Sequence, residues 1–162
     1  MTMKKEVDIF TTNPEKASAK VAINSFMMGS LFFILTIIWT LNPEKFSIFI
    51  ISQIVLAIPL LFVSSLAYSK IGYWKEIRLW DALGWFTNTT GNAFILNVVG
   101  LITATVSQNL AFVYFALLIS LMAIYSLINV AYKRHALRPK LFKFFYFVAV
   151  LVLGGIMPIV FQ

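Results

Sequence analysis

The sequence predicts an all-α fold: a polytopic integral membrane bundle of five transmembrane helices, with the N-terminus cytoplasmic and the C-terminus extracytoplasmic. Three observations carry this reading. The 162-residue chain is 60% hydrophobic and only 12% charged, against about 25% charged residues in an average soluble domain. Its uncharged stretches have the length of bilayer spans. Its Lys and Arg alternate between the connecting segments, and short basic loops stay cytoplasmic.

Residues 21–43, 46–69, 82–132 and 144–162 contain no Asp, Glu, Lys, Arg or His. About 20 apolar helical residues cross a bilayer core. The first, second and fourth stretches fit one span each. The third is 51 residues long and needs two, with Ser107-Gln108-Asn109 as its turn. Residues 1–20 then form a cytoplasmic tail and helix start. Residues 21–162 form the transmembrane domain, with spans near 21–41, 46–68, 84–106, 110–132 and 144–161.

The tail carries Lys4, Lys5, Lys16 and Lys20, and the first loop Lys45 alone. The second loop has Lys70, Lys75 and Arg78, and the third has no basic residue. The fourth has Lys133, Arg134, Arg138, Lys140 and Lys143, and the C-terminus has none. Twelve of thirteen basic residues thus fall on one side, and removing any span breaks the alternation. The net charge of +7 is read as topological. It implies contact with anionic headgroups and no nucleic acid, because no basic stripe lies on a soluble element. Cysteine is absent, which excludes disulfides and thiol chemistry.

The first span begins near Pro14. Asn13 suits the cap, Pro14 the first turn, and Glu15 the positive dipole end. Asn42-Pro43-Glu44-Lys45 repeats this start signal before the second span. The residues that follow differ, so the pair is shared chemistry, not an internal repeat. The first span reads as an uncleaved anchor, since no small-x-small site follows it. Pro59 should kink the second span, and Gly154-Gly155 with Pro158 should loosen the fifth. Residues 69–83, where aromatic and charged side chains mix, read as a short helix lying in the inner interface. In the last basic loop, Lys133, Arg134, Arg138 and Lys140 are candidate contacts for anionic lipid, and His135 is an ordinary surface histidine.

No Asp, Glu, Lys, Arg or His falls within a span on these bounds. All six acids (Glu6, Asp8, Glu15, Glu44, Glu76 and Asp81) fall in tails or loops. No catalytic, metal or nucleotide motif is present, so neither an enzyme nor a cofactor is implied. The third span is the exception in polarity. Ala93, Asn97, Gly100, Ala104 and Ser107 recur at spacings of four and three, forming one small, partly polar stripe. Asn88, Gly91 and Asn92 form a second patch in the cytoplasmic half. Ser18, Ala22, Ser25, Gly29, Thr36 and Thr40 on the first span, and Ala116, Ser120 and Ala123 on the fourth, suggest matching small faces. Asn24, Gln53 and Asn129 are placed near the interfaces.

The candidate path or helix-contact residues are therefore Asn88, Thr89, Asn92, Asn97, Gly100 and Ser107. As a contact, the stripe makes span three a central packing helix touching spans one and four. As a path, it lines a route for solute. The pattern points to an oligomeric channel or facilitator for an ion or small neutral solute. The alternative is a non-catalytic subunit or scaffold of a larger membrane complex. An interfacial lipid-modifying enzyme would need a nucleophile, base or metal cluster that the sequence does not offer. The expected setting is a bacterial or archaeal plasma membrane, with a second copy or another membrane protein as partner.

Overall fold

The computed structural model describes residues 12–41, 46–71, 73, 77–132 and 137–161. Helices α1 (Pro14–Leu41), α2 (Ile48–Lys70), α3 (Ile77–Val106), α4 (Gln108–Tyr132) and α5 (Leu137–Leu151) follow in order. The last continues through a π-helical segment, Val152–Ile156, into a final α-turn, Met157–Val160. Each of the five rods is long and apolar enough to cross a membrane. There is no strand among the described residues. The antiparallel course gathers the start of α1, the α2–α3 turn and the α4–α5 connection at one end of the bundle, here called the basic end.

Local chemistry sets most boundaries. Asn13 Oδ1 accepts the Lys16 amide at 3.0 Å, the cap expected before Pro14. The second start differs from expectation. α2 begins at Ile48, with the Ser47 side chain accepting from the Phe49 amide, and residues 42–45 lie outside the described set. Pro59 is exposed, and the helix runs through it uninterrupted. Ser107 alone separates α3 from α4. Its hydroxyl accepts the Leu110 amide at 3.3 Å, capping α4. The loosening of the fifth span takes the form of the π-helical segment, which contains Gly154 and Gly155.

The separate interfacial helix over 69–83 does not form. Lys70 closes α2, Ile71 and Tyr73 turn the chain, and Ile77 already starts α3. Residues 72 and 74–76 lie outside the described set. Trp80 and Asp81 of this segment have tertiary partners. Trp80 packs on a small cluster of Ala17, Tyr68 and Ile71. Asp81 is 2% exposed and accepts from the Thr12 amide at 2.7 Å and the Thr12 hydroxyl at 2.6 Å. An acid assigned to a loop is therefore a buried tie inside α3.

The largest interface joins α2 to α3, with α1 packed on α2 and with α4 and α5 packed on α3 and on each other. α3 is the central helix, as its stripe suggested, but its partners are α2, α4 and α5; the main partner of α1 is α2. Ser18, Ala22, Ser25, Gly29, Thr36 and Thr40 on α1, with Ala116 and Ser120 on α4, face outward, and Ala123 is half-buried. Four of these hydroxyls need no partner helix. Ser25, Thr36, Thr40 and Ser120 each donate to the carbonyl four residues earlier, which lets a hydroxyl face lipid.

Polar ties join the rods where apolar burial adds little, since lipid tails are as apolar as the core. The Asn24 amide donates to Ser64 Oγ, which donates to the Gly84 carbonyl, linking α1, α2 and α3. Gln53 donates to the Gly154 carbonyl at 2.7 Å. Tyr114 reaches the Leu96 carbonyl across the α3–α4 hairpin, and Gln108 reaches the Ile159 carbonyl. Such ties contribute about 0.6–2 kcal/mol each. Asn24 is 0% and Gln53 6% exposed, so neither reaches an interface; both are core amides. Asn129 is half-exposed.

Candidate functional site: a lysine-lined cavity at the basic end

Four helical segments converge on a cavity of about 510 Å³ at the basic end. Three of them contribute at one spacing. From α3 come Trp85, Asn88, Thr89 and Asn92; from α4 come Met122, Tyr125, Ser126 and Asn129. From α5 come Lys140, Lys143, Phe144 and Phe147. Each set runs i, i+3, i+4, i+7, which is one face of an α-helix. Thr12, Lys16 and Lys20 close the fourth side from the entry of α1.

The wall carries four lysines, and no carboxylate among the described residues lines it. Lys20 donates to Tyr68 Oη at 2.8 Å and to Thr12 Oγ1 at 3.3 Å, with its ammonium 4.2 Å from the Tyr68 ring centroid. The Lys143 ammonium lies 5.1 Å from the Trp85 ring centroid. Lys140 donates to the Asn129 carbonyl. Asp81 stands behind this wall, its two oxygens taken by Thr12. It thereby fixes the segment from which Lys16 and Lys20 project.

The α3 side chains on this face differ from their neighbours. Thr87 and Thr90 donate to the carbonyls of Leu83 and Phe86, and Thr90 also meets the Tyr146 hydroxyl at 2.6 Å. Asn88, Thr89 and Asn92 have no side-chain partner among the described residues. Polar groups at such depth need protein, water or a ligand. Trp85 and Phe86 pack on Phe142 and Tyr146, with centroids 5.3–6.2 Å apart. These rings stand between α3 and α5 at the mouth.

Around Asn97 and Gly100 the helices are tightly packed. Asn97 is 0% exposed, and its amide donates to the Val150 carbonyl at 3.2 Å. A Cβ built on Gly154 would lie 2.4 Å from Asn97 Nδ2, and one on Gly155 2.6 Å from Asn97 Oδ1. On Gly100, it would lie 2.3 Å from Phe115 Cζ. Glycine is the only residue that admits these approaches.

The sequence-level candidates thus divide. Asn88, Thr89 and Asn92, named as path residues, and Lys140, named as a lipid contact, meet in one cavity. Asn97 and Gly100 are packing residues below it, and Ser107 is the joint of the hairpin. Arg138 is exposed and does not line the cavity; Lys133, Arg134 and His135 lie outside the described residues. Sequence reasoning missed Lys16, Lys20, Lys143 and the α4 face. The repeated i, i+3, i+4, i+7 spacing at 85–92, 122–129 and 140–147 was the available signal. No protein-family model matches this chain, and no curated protein or solved structure matches it.

Proposed function

We propose that this multi-spanning membrane protein binds an anionic group in the cavity at its basic end and acts as a facilitator for the molecule that carries it. One observation carries the reading: four lysines and the unpartnered Asn88, Thr89 and Asn92 share one cavity within a bundle of apolar helices. Ligand sites are typically cavities of about 300–1,000 Å³ with mostly apolar walls and a few convergent polar groups, and this one fits. The positive-inside pattern turns its mouth to the cytoplasm. The closed packing around Asn97 supports a loading site open on one side, with movement of the far half needed for transfer, in place of a standing pore along α3.

The test is ligand-dependent stability in neutral detergent at matched ionic strength. Inorganic phosphate or sulfate should raise the melting temperature above chloride, because a ligand that binds only the folded state stabilises it. Lys140→Gln/Lys143→Gln should lose that gain by at least tenfold in apparent affinity. Equal melting in every anion removes the reading. Orientation is tested separately. An impermeant thiol reagent on intact cells should label Gln108→Cys and spare Tyr73→Cys, at the exposed α2–α3 turn. The reverse pattern turns the mouth outward.

A second reading, a non-catalytic subunit or scaffold, is favoured by the outward small face of α1. Gly29 has nothing within 4 Å of a built Cβ, so a second helix has room to approach there.

A further inference from the structure

We infer that the group filling this cavity is the phosphate monoester head of a lipid, with the lipid chain leaving sideways between α1 and α4. The inference rests on the anion-binding reading above and names its ligand class.

Charge is the first argument. Four lysines line the wall, and one carboxylate among the described residues, Asp81 behind it, acts on Lys20 and Lys143. The mutual repulsion of the four lysines is relieved best by a dianion, and a phosphate monoester carries about −1.5 to −2 at neutral pH. A phosphodiester carries a single charge, and a zwitterionic head brings a cation among the lysines. Asn88, Thr89 and Asn92 supply neutral donors beside them, as phosphate oxygens require.

Size is the second. Water occupies about 30 Å³, and a bare phosphate fills only a few such volumes. The cavity of about 510 Å³ holds a headgroup, its ester linkage and the first carbons of a chain.

The third argument is the gradient of polarity with depth. Helix direction orders the lining. On α3 Trp85 lies nearest the basic end and Asn92 deepest, but α4 and α5 run from Asn129 and Lys140 at the basic end to Met122 and Phe147 at depth. A bilayer lipid is ordered the same way, its charge at the interface and its chain toward the midplane. Lys20 is deep on α1 but donates to Thr12 and Tyr68, so its ammonium joins the upper level.

The fourth is access. α1 is held mainly by α2, and α4 by α3 and α5. The cavity lies where residues of α1 and α4 flank the polar face of α3, so a chain leaving it sideways would pass between these two helices.

The experiment uses the full chain in neutral detergent, probed with dioctanoyl phosphatidic acid, dioctanoyl phosphatidylcholine, dioctanoyl phosphatidylglycerol, glycerol phosphate and inorganic phosphate. Binding is read by native mass spectrometry and by melting temperature. Phosphatidic acid should bind at least tenfold more tightly than either diester lipid and than either soluble phosphate. Lys16→Gln/Lys140→Gln should weaken it at least tenfold. Met122→Trp, which fills the deep apolar level and keeps every charge, should weaken phosphatidic acid and spare inorganic phosphate. Lys70→Gln, on an exposed lysine outside the lining, should change nothing, and the unliganded melting temperature reports folding of each variant. Soluble phosphate binding as tightly as the lipid, with the same lysine dependence, overturns the lipid inference and leaves the anion reading standing. Equal binding of all three lipids overturns monoester selectivity. Binding of no anion and no lipid overturns the anion reading itself.

Discussion

The two halves of α3 carry similar side chains and meet different fates. In the half toward the basic end, Asn88, Thr89 and Asn92 border a cavity and lack protein partners among the described residues. In the far half, Asn97 and Gly100 are sealed against α5 and α4. The difference lies in the neighbours. Opposite Asn97, the π-helical continuation of α5 offers Gly154 and Gly155, and backbones approach closely over small residues. Near the mouth, Trp85, Phe86, Phe142 and Tyr146 stand between the same two helices. Bulky rings keep two helix backbones further apart than glycines do. A polar residue in a membrane helix therefore lines space or seals it according to the size of what faces it.

The strongest challenge to this contrast is steric. Gly100→Leu should destabilise the protein by about 3 kcal/mol or prevent folding, since overpacking commonly costs about 1–3 kcal/mol and a Cβ alone would lie 2.3 Å from Phe115 Cζ. Asn88→Leu should stay within about 1 kcal/mol of wild type. Similar melting of the two variants in detergent would erase the distinction between the halves.

A paired amide experiment sharpens it. Asn97→Leu removes the donor to the Val150 carbonyl and should cost about 1–3 kcal/mol, leaving phosphate-dependent stabilisation intact. Asn92→Leu should do the opposite, retaining stability and losing ligand response. Loss of ligand response in Asn97→Leu at unchanged stability would extend the working site into the far half.

The entry of α1 supplies a smaller effect. Asp81→Ala removes both acceptors of Thr12 and should cost about 1–2 kcal/mol, with faster amide exchange at Thr12. Unchanged exchange there would show that Asp81 does not hold this wall of the cavity. Smallest of all, Gly29→Leu should shift stability by less than about 0.5 kcal/mol, because nothing lies near its Cβ position. A drop in particle size in mild detergent for this variant would identify the outward face of α1 as the contact between copies.

Span number, order and the turn at Ser107 were legible in the sequence, because charge and apolar length act along the chain; the sequence places the turn at Ser107-Gln108-Asn109, and the structure shortens it to Ser107. The start of α1 was legible because Asn13 caps within three residues of itself. What was not legible depended on distant partners. Asp81 lies 69 residues from Thr12, and no local pattern announces that bond. Asn24 and Gln53 were placed at interfaces because depth in a span does not reveal whether a serine or a glycine carbonyl waits opposite. The small stripe on α1 misled for the converse reason: Ser25, Thr36 and Thr40 satisfy themselves on their own helix. The lysines of the cavity were treated as loop charge, although Lys16 and Lys20 are four apart and Lys140 and Lys143 three apart, which places each pair on one helical face.

The joint at Ser107 also governs how the chain enters its membrane. With one residue outside the helices and no charge between residues 82 and 132, α3 and α4 leave almost no loop to carry across on its own. Their contacts bracket the joint, Leu96 with Tyr114 and Gly100 with Phe115, close in sequence and cheap in loop-closure entropy. The two helices are thus suited to insert together as a preformed hairpin, giving the later-made α5 a ready surface on which to dock.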